Sequence, residues 1–271
     1  MNISFSSEIY NEALLSIENI RLTSVNKKLK QLGMPDPLRS AQIQDRDLGR
    51  ETDFDVVQLR QFVETNSLLL VNEQRSIYDE VLRTVASDAG GLYFVDAPGG
   101  TGKTFLMTVL LAKIRSEGGI ALAIASSGIA ATLLDGGRTA HSALKLPLDL
   151  QSIESPTCNI KKRSGIATVL RTCKLIIWDE CTMTHKKGLE ALDRTMKDLR
   201  NDPRPFGGAL ILLSGDFRQT LPVVPRGTPA DELNACLKLS RLWRHVRKFT
   251  LRKNMRVLLQ NDEEAGDFAE Q

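Results

Sequence analysis

Asp96-Ala97-Pro98-Gly99-Gly100-Thr101-Gly102-Lys103-Thr104 decides the fold of this chain. An apolar run, Leu92-Tyr93-Phe94-Val95, precedes it, and a helix-like run from Phe105 to Ile114 follows. Strand, glycine loop and helix in that order are the context of a phosphate-binding P-loop. Gly99, Gly100 and Gly102 let the backbone curl until several N–H groups point at one anion. The helix that opens next adds the positive end of its dipole. Lys103 reaches the β- and γ-phosphates, and the Thr104 hydroxyl ligates Mg²⁺. The loop from Pro98 through Thr104 is therefore the expected nucleotide cradle. Ala97 stands where the general pattern has glycine, so a somewhat different first turn is expected there. A plain glycine-rich surface turn is the competing reading, and the flanking strand and helix weigh against it.

Working outward, the pattern alternates. Ile120 to Ala125, Leu175 to Trp178 and Ala209 to Leu213 are continuous apolar runs, as expected of strands buried on both faces. Gly128 to Leu134 reads as a short helix, and Leu189, Leu192, Met196 and Leu199 mark an amphipathic one. Strands alternating with helices predict an α/β fold, a parallel sheet covered by helices on both faces. Ligands of such sheets bind at the carboxyl ends of the strands, where the remaining motifs fall. Leu68 to Val85 reads as a helix ahead of the first strand. Ile9 to Leu32 has a rough helical period, ended by Gly33-Met34-Pro35-Asp36-Pro37, and the charged stretch Arg39 to Asp55 reads as a linker. The expected organisation is a helical or linker segment over 1–60, an ATPase lobe over 61–227, and a connecting segment over 228–271.

Three polar motifs follow the strands. Asp179-Glu180 follows Leu175 to Trp178. One carboxylate there can hold Mg²⁺ opposite Thr104, and the other can orient and deprotonate an attacking water, which separates a hydrolase from a nucleotide binder. Gly215-Asp216-Phe217-Arg218-Gln219 follows the Ala209 run, and Gln219 can hydrogen-bond a γ-phosphate or its attacking water. Ser126-Ser127-Gly128 and Thr139-Ala140-His141-Ser142 place small hydroxyl residues at helix starts. These could grip a second phosphate-bearing ligand, and ordinary helix capping explains them equally well. A histidine such as His141 is more often a structural hydrogen-bonder than a functional group.

The 271 residues carry a formal charge of +3, too small to demand a polyanionic partner. Its distribution says more: eight Lys/Arg and no Asp or Glu lie between Lys238 and Arg256. Such a stripe suits nucleic acid or nucleotide phosphates, and a solvated basic face fits it as well on charge alone. The four cysteines form no CxxC pair and lie at no zinc-finger spacing from the histidines, so free thiols in a reducing compartment are expected. No apolar run approaches the ~20 residues of a membrane span. The N-terminus has no signal pattern, which points to the cytosol or nucleus.

Taken together, DAPGGTGKT, ASSGIAATLL, GGRTAHSALKLP, IIWDECTM, GDFRQTLPVVP and LRKNMRV resemble the petite-integration-frequency (PIF) DNA helicases of superfamily one. The branch most similar is that carried by Helitron transposons. The resemblance covers about residues 68 to 260, and its strings argue against other P-loop machines. It implies a RecA-like lobe that binds ATP with Mg²⁺ and works on single-stranded DNA in the five-prime to three-prime direction. Repair, recombination and telomere maintenance, in the nucleus, are the implied settings. By the resemblance Gln74 reads the adenine edge, Lys103 and Thr104 serve phosphate and magnesium, and Asp179 and Glu180 are the magnesium and water-activating acids. Gln219 senses the γ-phosphate, and Arg256 reaches it to stabilise transition-state charge. Ser127, Gly128, Thr139 and His141 fall in segments that hold single-stranded DNA by its backbone. Helicases of this kind use two RecA-like lobes. About 45 residues follow the first lobe here, against the order of 100 that a second needs. The second lobe is therefore expected to be largely missing, and the isolated chain to unwind DNA poorly.

Overall fold

The computed structural model describes residues 13–14, 16–18, 29–35, 42–219, 222–225 and 227–255, with only the backbone described over 42–46. The chain divides into two compact units, Met1–Arg46 and Asp47–Gln271. Among the described residues of the first, Leu29–Leu32 forms one 3₁₀ turn with Leu29 fully buried. The Leu29 amide donates to Glu18 Oε1 at 3.4 Å.

The charged stretch read as a linker is largely helical: α1 runs over Gln42–Thr52. Near its end the buried Glu51 accepts from Arg138 at 2.8 Å, and this partner offsets part of the cost of burying the carboxylate. The helix read over Leu68 to Val85 starts four residues later, at Asn72, and a separate helix precedes it. α2 spans Val56–Ser67 and α3 spans Asn72–Ala86, with Leu68 to Val71 between them. Asp55 starts α2 by accepting from the Val57 and Gln58 amides, both at 3.0 Å.

The elements then alternate: β1 (Gly91–Asp96), α4 (Lys103–Ser116), β2 (Ala121–Ala125), α5 (Gly128–Thr132), β3 (Arg138–Thr139) and α6 (Ala140–Leu144). They continue as α7 (Gly165–Thr172), β4 (Leu175–Asp179), α8 (Lys186–Arg200), β5 (Leu210–Gly215), α9 (Pro229–Ala235) and β6 (Val246–Thr250). The six strands form one parallel sheet in the order β3-β2-β4-β5-β1-β6. β6 comes from the stretch beyond residue 227. Its sequence, Val-Arg-Lys-Phe-Thr, has no apolar run because it pairs on one side only and lies largely open to solvent.

Alternate strand residues feed two cores, as the two-residue period of a strand requires. Phe94, Ile124, Ile176, Trp178, Ile211 and Leu213 pack with α6, α7 and α8 on one face. Tyr93, Val95, Ala123, Ile177 and Leu212 pack with α3 and α4 on the other. The register brings the strand ends into line: Asp96 lies beside Gly215, and Ala125 beside both Asp179 and Thr139. Every motif at a strand end therefore opens onto one rim. Among the described residues no helix is long and apolar enough to cross a membrane.

Candidate nucleotide-binding site

The loop between β1 and α4 turns on two glycines. Gly100 and Gly102 have φ of +85° and +74°, the left-handed region where a Cβ is strained. Ala97 does not: it is absent from the positive-φ residues, is buried, and donates its amide to the Gly215 carbonyl at 3.3 Å. The different first turn expected from Ala97 finds no strain here, because this position needs no glycine. Thr101 is buried and closes the loop on itself, its hydroxyl donating to the Pro98 carbonyl at 2.9 Å.

Lys103 opens α4 and faces both acids at the end of β4. Its Nζ donates to Glu180 Oε1 and lies 3.3 Å from Asp179 Oδ1. Burial works against the Lys103 charge, but Asp179 and the hydrogen bond to Glu180 outweigh it and raise the pKa above the ordinary lysine value. Asp179 is buried, and Ser214 on β5 donates to its Oδ1 at 2.5 Å while the Glu180 amide donates to the same oxygen at 2.9 Å. Glu180 itself has φ of +49°, unusual for a side chain with a Cβ.

A magnesium ion fits this donor set. The Thr104 hydroxyl and Asp179 Oδ2 make no hydrogen bond among the described residues, and Thr104 adjoins the lysine that faces Asp179. A hydroxyl and a fixed carboxylate oxygen are the hard donors that magnesium takes, with water filling its other positions.

Gln74 lies against the loop rather than in open solvent. Its Nε2 donates to the Thr101 carbonyl at 3.0 Å, and its Oε1 accepts from the Val71 amide at 3.2 Å. A Cβ on Gly102 would stand 2.4 Å from Gln74 Nε2, so any larger residue there would push Gln74 off the loop. The chain after β6 crosses the same loop. Leu251 donates to the Asp96 carbonyl at 3.0 Å and Met255 to the Gly100 carbonyl at 2.8 Å. Glu73 fixes this crossing by accepting from the Arg252 amide at 2.9 Å and the Lys253 amide at 3.4 Å.

Gln219 reaches the rim, but its side chain is turned onto Asp216, donating at 3.1 Å. Burial raises the Asp216 carboxyl, and the bonds from Arg218 and Gln219 more than reverse it, leaving its pKa below the usual value. Ser127 follows β2 and Thr139 ends the neighbouring β3, and both act as caps. Ser127 accepts from the Ala130 amide at 3.1 Å and Thr139 from the Ser142 amide at 3.3 Å. Gly128 and His141 are exposed beside them. Arg256 lies outside the described residues. Ser214, Glu73 and Met255 are contributors that the sequence reading passed over. Each adjoins a residue it did single out, but a serine within an apolar strand carries no motif signal of its own.

A sequence profile of the PIF1-like helicase family matches residues 69–270. The chain is 31% identical over 197 residues to the ATP-dependent DNA helicase PIF1 of Candida albicans, covering 70% of this chain and 21% of that protein. It is 30% identical over 175 residues to the ATP-dependent DNA helicase PIF1 of Danio rerio, covering 65% of this chain and 25% of that one. Its fold is similar to the crystal structure of the Candida albicans Pif1 helicase, with a TM-score of 0.56 at 27% identity over 73% of this chain and 42% of that chain. A Bacteroides Pif1 helicase in complex with ADP-AlF3 and ssDNA shares the fold at 23% identity, with a TM-score of 0.54 over 69% of this chain and 43% of that one. The chain thus spans about a quarter or less of these curated relatives and about two fifths of the solved ones. The parallel sheet and its covering helices match one RecA-like lobe. With a family profile running over most of its length and a P-loop lysine set against paired acids, the chain belongs to the PIF1-like helicases.

Proposed function

We propose that this chain is an ATP-binding lobe of a DNA helicase that hydrolyses ATP and couples it to movement on single-stranded DNA. The observation that carries this reading is the contact of Lys103 with Asp179 and Glu180 beside a loop that turns on Gly100 and Gly102. The contact of Lys103 with both acids implies an exchange when ATP binds. A γ-phosphate entering the loop takes over the Lys103 ammonium, and Glu180 is released to accept a proton from the attacking water. Asp179 keeps its orientation through this exchange because Ser214 and the Glu180 amide hold Oδ1 independently of the lysine. Magnesium held by Thr104 and Asp179 would neutralise charge on the β- and γ-phosphates. Gln219, bonded to Asp216, would turn from it to meet the γ-phosphate in the proposed sensor role. Arg256 follows Met255, whose amide is fixed to Gly100, and the family resemblance gives it the transition-state charge.

Gln74 supports the adenine-reading role by position, since it borders the loop, but its amide must exchange Thr101 or Val71 for the base edge. Ser127, Gly128, Thr139 and His141 form the proposed grip on the DNA backbone, supported by their place on one corner of the rim. Five-prime to three-prime unwinding, repair, recombination and a nuclear setting follow from the family resemblance.

For these 271 residues by themselves, the reading is ATP and single-stranded DNA binding without productive unwinding. It is supported by the single six-stranded sheet among the described residues and by the share of each relative that the chain spans. Translocation needs two grips whose spacing changes with nucleotide state. DNA-stimulated ATP hydrolysis and strand separation, measured beside Lys103→Ala and Glu180→Gln, test both statements. Hydrolysis unaffected by Lys103→Ala would overturn the site, and robust unwinding by the chain alone would overturn the second reading.

A further inference from the structure

β6 is an edge strand whose two faces carry different chemistry. On one, Arg247 pairs with Tyr93 across the register and forms an ion pair with Glu80, which it shares with Arg83. On the other, Lys248 pairs with Phe94, and its ammonium stands 5.9 Å from the centre of the Trp243 ring. Lys238 stands 4.2 Å from the centre of Phe217. Phe94, Phe217 and Trp243 pack together with ring centroids 5.2–5.4 Å apart. Phe94 is buried beneath, while Phe217 and Trp243 are half-buried. Arg241 and Arg244 are exposed on the same stretch.

Among the described residues, Lys238, Arg241, Arg244 and Lys248 form no ion pair. The carboxylates nearby are engaged elsewhere: Glu80 with Arg83 and Arg247, Glu190 with Ser240 and Arg194, Asp216 with Arg218. Protection of an open edge explains basic residues within a strand. It does not explain Lys238, which lies outside the strand and sits over a ring. Unpaired cations interleaved with half-buried aromatic faces match single-stranded nucleic acid, whose phosphates follow the cations while its bases stack on the rings.

We infer that this face, centred on Trp243 and Lys248, is a second contact for single-stranded DNA. It lies at the edge of the sheet opposite Thr139, roughly 24 Å away by the spacing of neighbouring strands. It takes no part in the nucleotide loop, so it stands whether or not the chain hydrolyses ATP.

Binding of a labelled oligo-dT strand, followed by anisotropy across a salt series, tests this together with tryptophan fluorescence. The chain has two tryptophans, and Trp178 is buried with its indole bonded to Ser126, so a quench is assigned with Trp243→Phe. The unmodified chain is expected to bind with quenching, and Trp243→Phe to bind while losing most of the quench. The triple variant Lys238→Gln, Arg244→Gln, Lys248→Gln, all at exposed positions, is expected to bind at least ten-fold more weakly. Its salt dependence should be shallower by about 2 in log–log slope, at about 0.7 per lost phosphate contact. Ser127→Ala with Thr139→Val separates the other edge: it should weaken binding and leave the Trp243 quench intact. A folded triple variant with unchanged affinity and slope overturns the inference, as does a quench that survives Trp243→Phe. Failure of the unmodified chain to bind oligo-dT overturns it too, including the case in which it binds only vesicles rich in phosphatidylserine.

Discussion

Gln74 Nε2 donates to the Thr101 carbonyl at 3.0 Å and so ties the first turn of α3 to the phosphate loop. The amide is used at both ends, since Oε1 caps the Val71 N–H. Removing it leaves a buried carbonyl and an amide without partners, at a cost of about 1–3 kcal/mol. Gln74→Ala is expected to lower the melting temperature by about 2–12 °C in a chain of this size. Nucleotide affinity should fall as the loop loses its support. Calorimetric melts with and without ATP check both, and an unchanged melt would show that the bridge carries no stability.

The Lys103–Glu180 pair competes with the nucleotide for the same ammonium. Glu180→Gln removes the competitor, so ATP should bind several-fold more tightly while turnover drops by at least a hundred-fold with the loss of the proposed general base. Lys103→Ala should abolish detectable binding. It should also cost the nucleotide-free protein about 1–3 kcal/mol, because two neighbouring acids lose their cation. Titration with a fluorescent ATP analogue and phosphate release distinguish the two variants. Weaker binding by Glu180→Gln would contradict the exchange.

In the proposed site, Ser214 would act on magnesium through Asp179. Its Oγ donates to Oδ1, and residues that orient a metal-binding carboxylate typically change metal affinity by 10–100-fold when lost. Ser214→Ala is expected to raise the magnesium concentration for half-maximal hydrolysis by about ten-fold, with a smaller change at saturating metal. An equal loss at all magnesium concentrations would assign Ser214 to packing instead.

His185 makes the stability of α8 depend on pH. Its Nδ1 accepts from the Lys187 amide at 3.0 Å, which requires the neutral ring. Burial, with Lys187 and Lys186 adding to it against Glu190, holds its pKa below the ordinary 6.5. A depressed value means that the cap is fully present above the unfolded pKa and is lost as pH falls through the folded one. Stability should decline below about pH 6.5, and His185→Asn should flatten that decline while keeping a cap. Denaturant melts between pH 5 and 8 check it.

Three thiols are shielded from reaction. Burial raises Cys158 to about 11, Cys173 to about 12, and Cys181 well above its ordinary value. A thiolate is the reactive form, so these cysteines should remain silent toward a chromogenic disulfide at pH 8 for as long as the chain stays folded. All four should react at once in guanidinium.

The apolar runs from Ile120, Leu175 and Ala209 were legible as strands because burial on both faces leaves a continuous apolar signature. The acids of β4 and the loop lysine were legible because their chemistry fixes the residue type. β6 was not. An edge strand carries a polar, basic sequence, and in Val246 to Thr250 the charge stripe masks the strand. α1 was hidden in the same way, since Gln42 to Thr52 carries mostly polar side chains that the eye assigns to a linker. The resting contacts of Gln74 and Gln219 were not legible either, because a glutamine suited to a nucleotide serves equally well as a bond to the backbone or to a neighbouring aspartate.

The pairing of β6 with β1, and the crossing of Leu251 to Met255 over the loop, have a consequence for the nascent chain. The loop is synthesised early, yet Asp96 and Gly100 acquire their covering amides only when Met255 has left the ribosome. At roughly 5–20 residues per second, the loop waits on the order of ten seconds in an unfinished sheet. Throughout that interval β1 is an open apolar edge, and a chaperone or a second nascent strand has the first opportunity to occupy it.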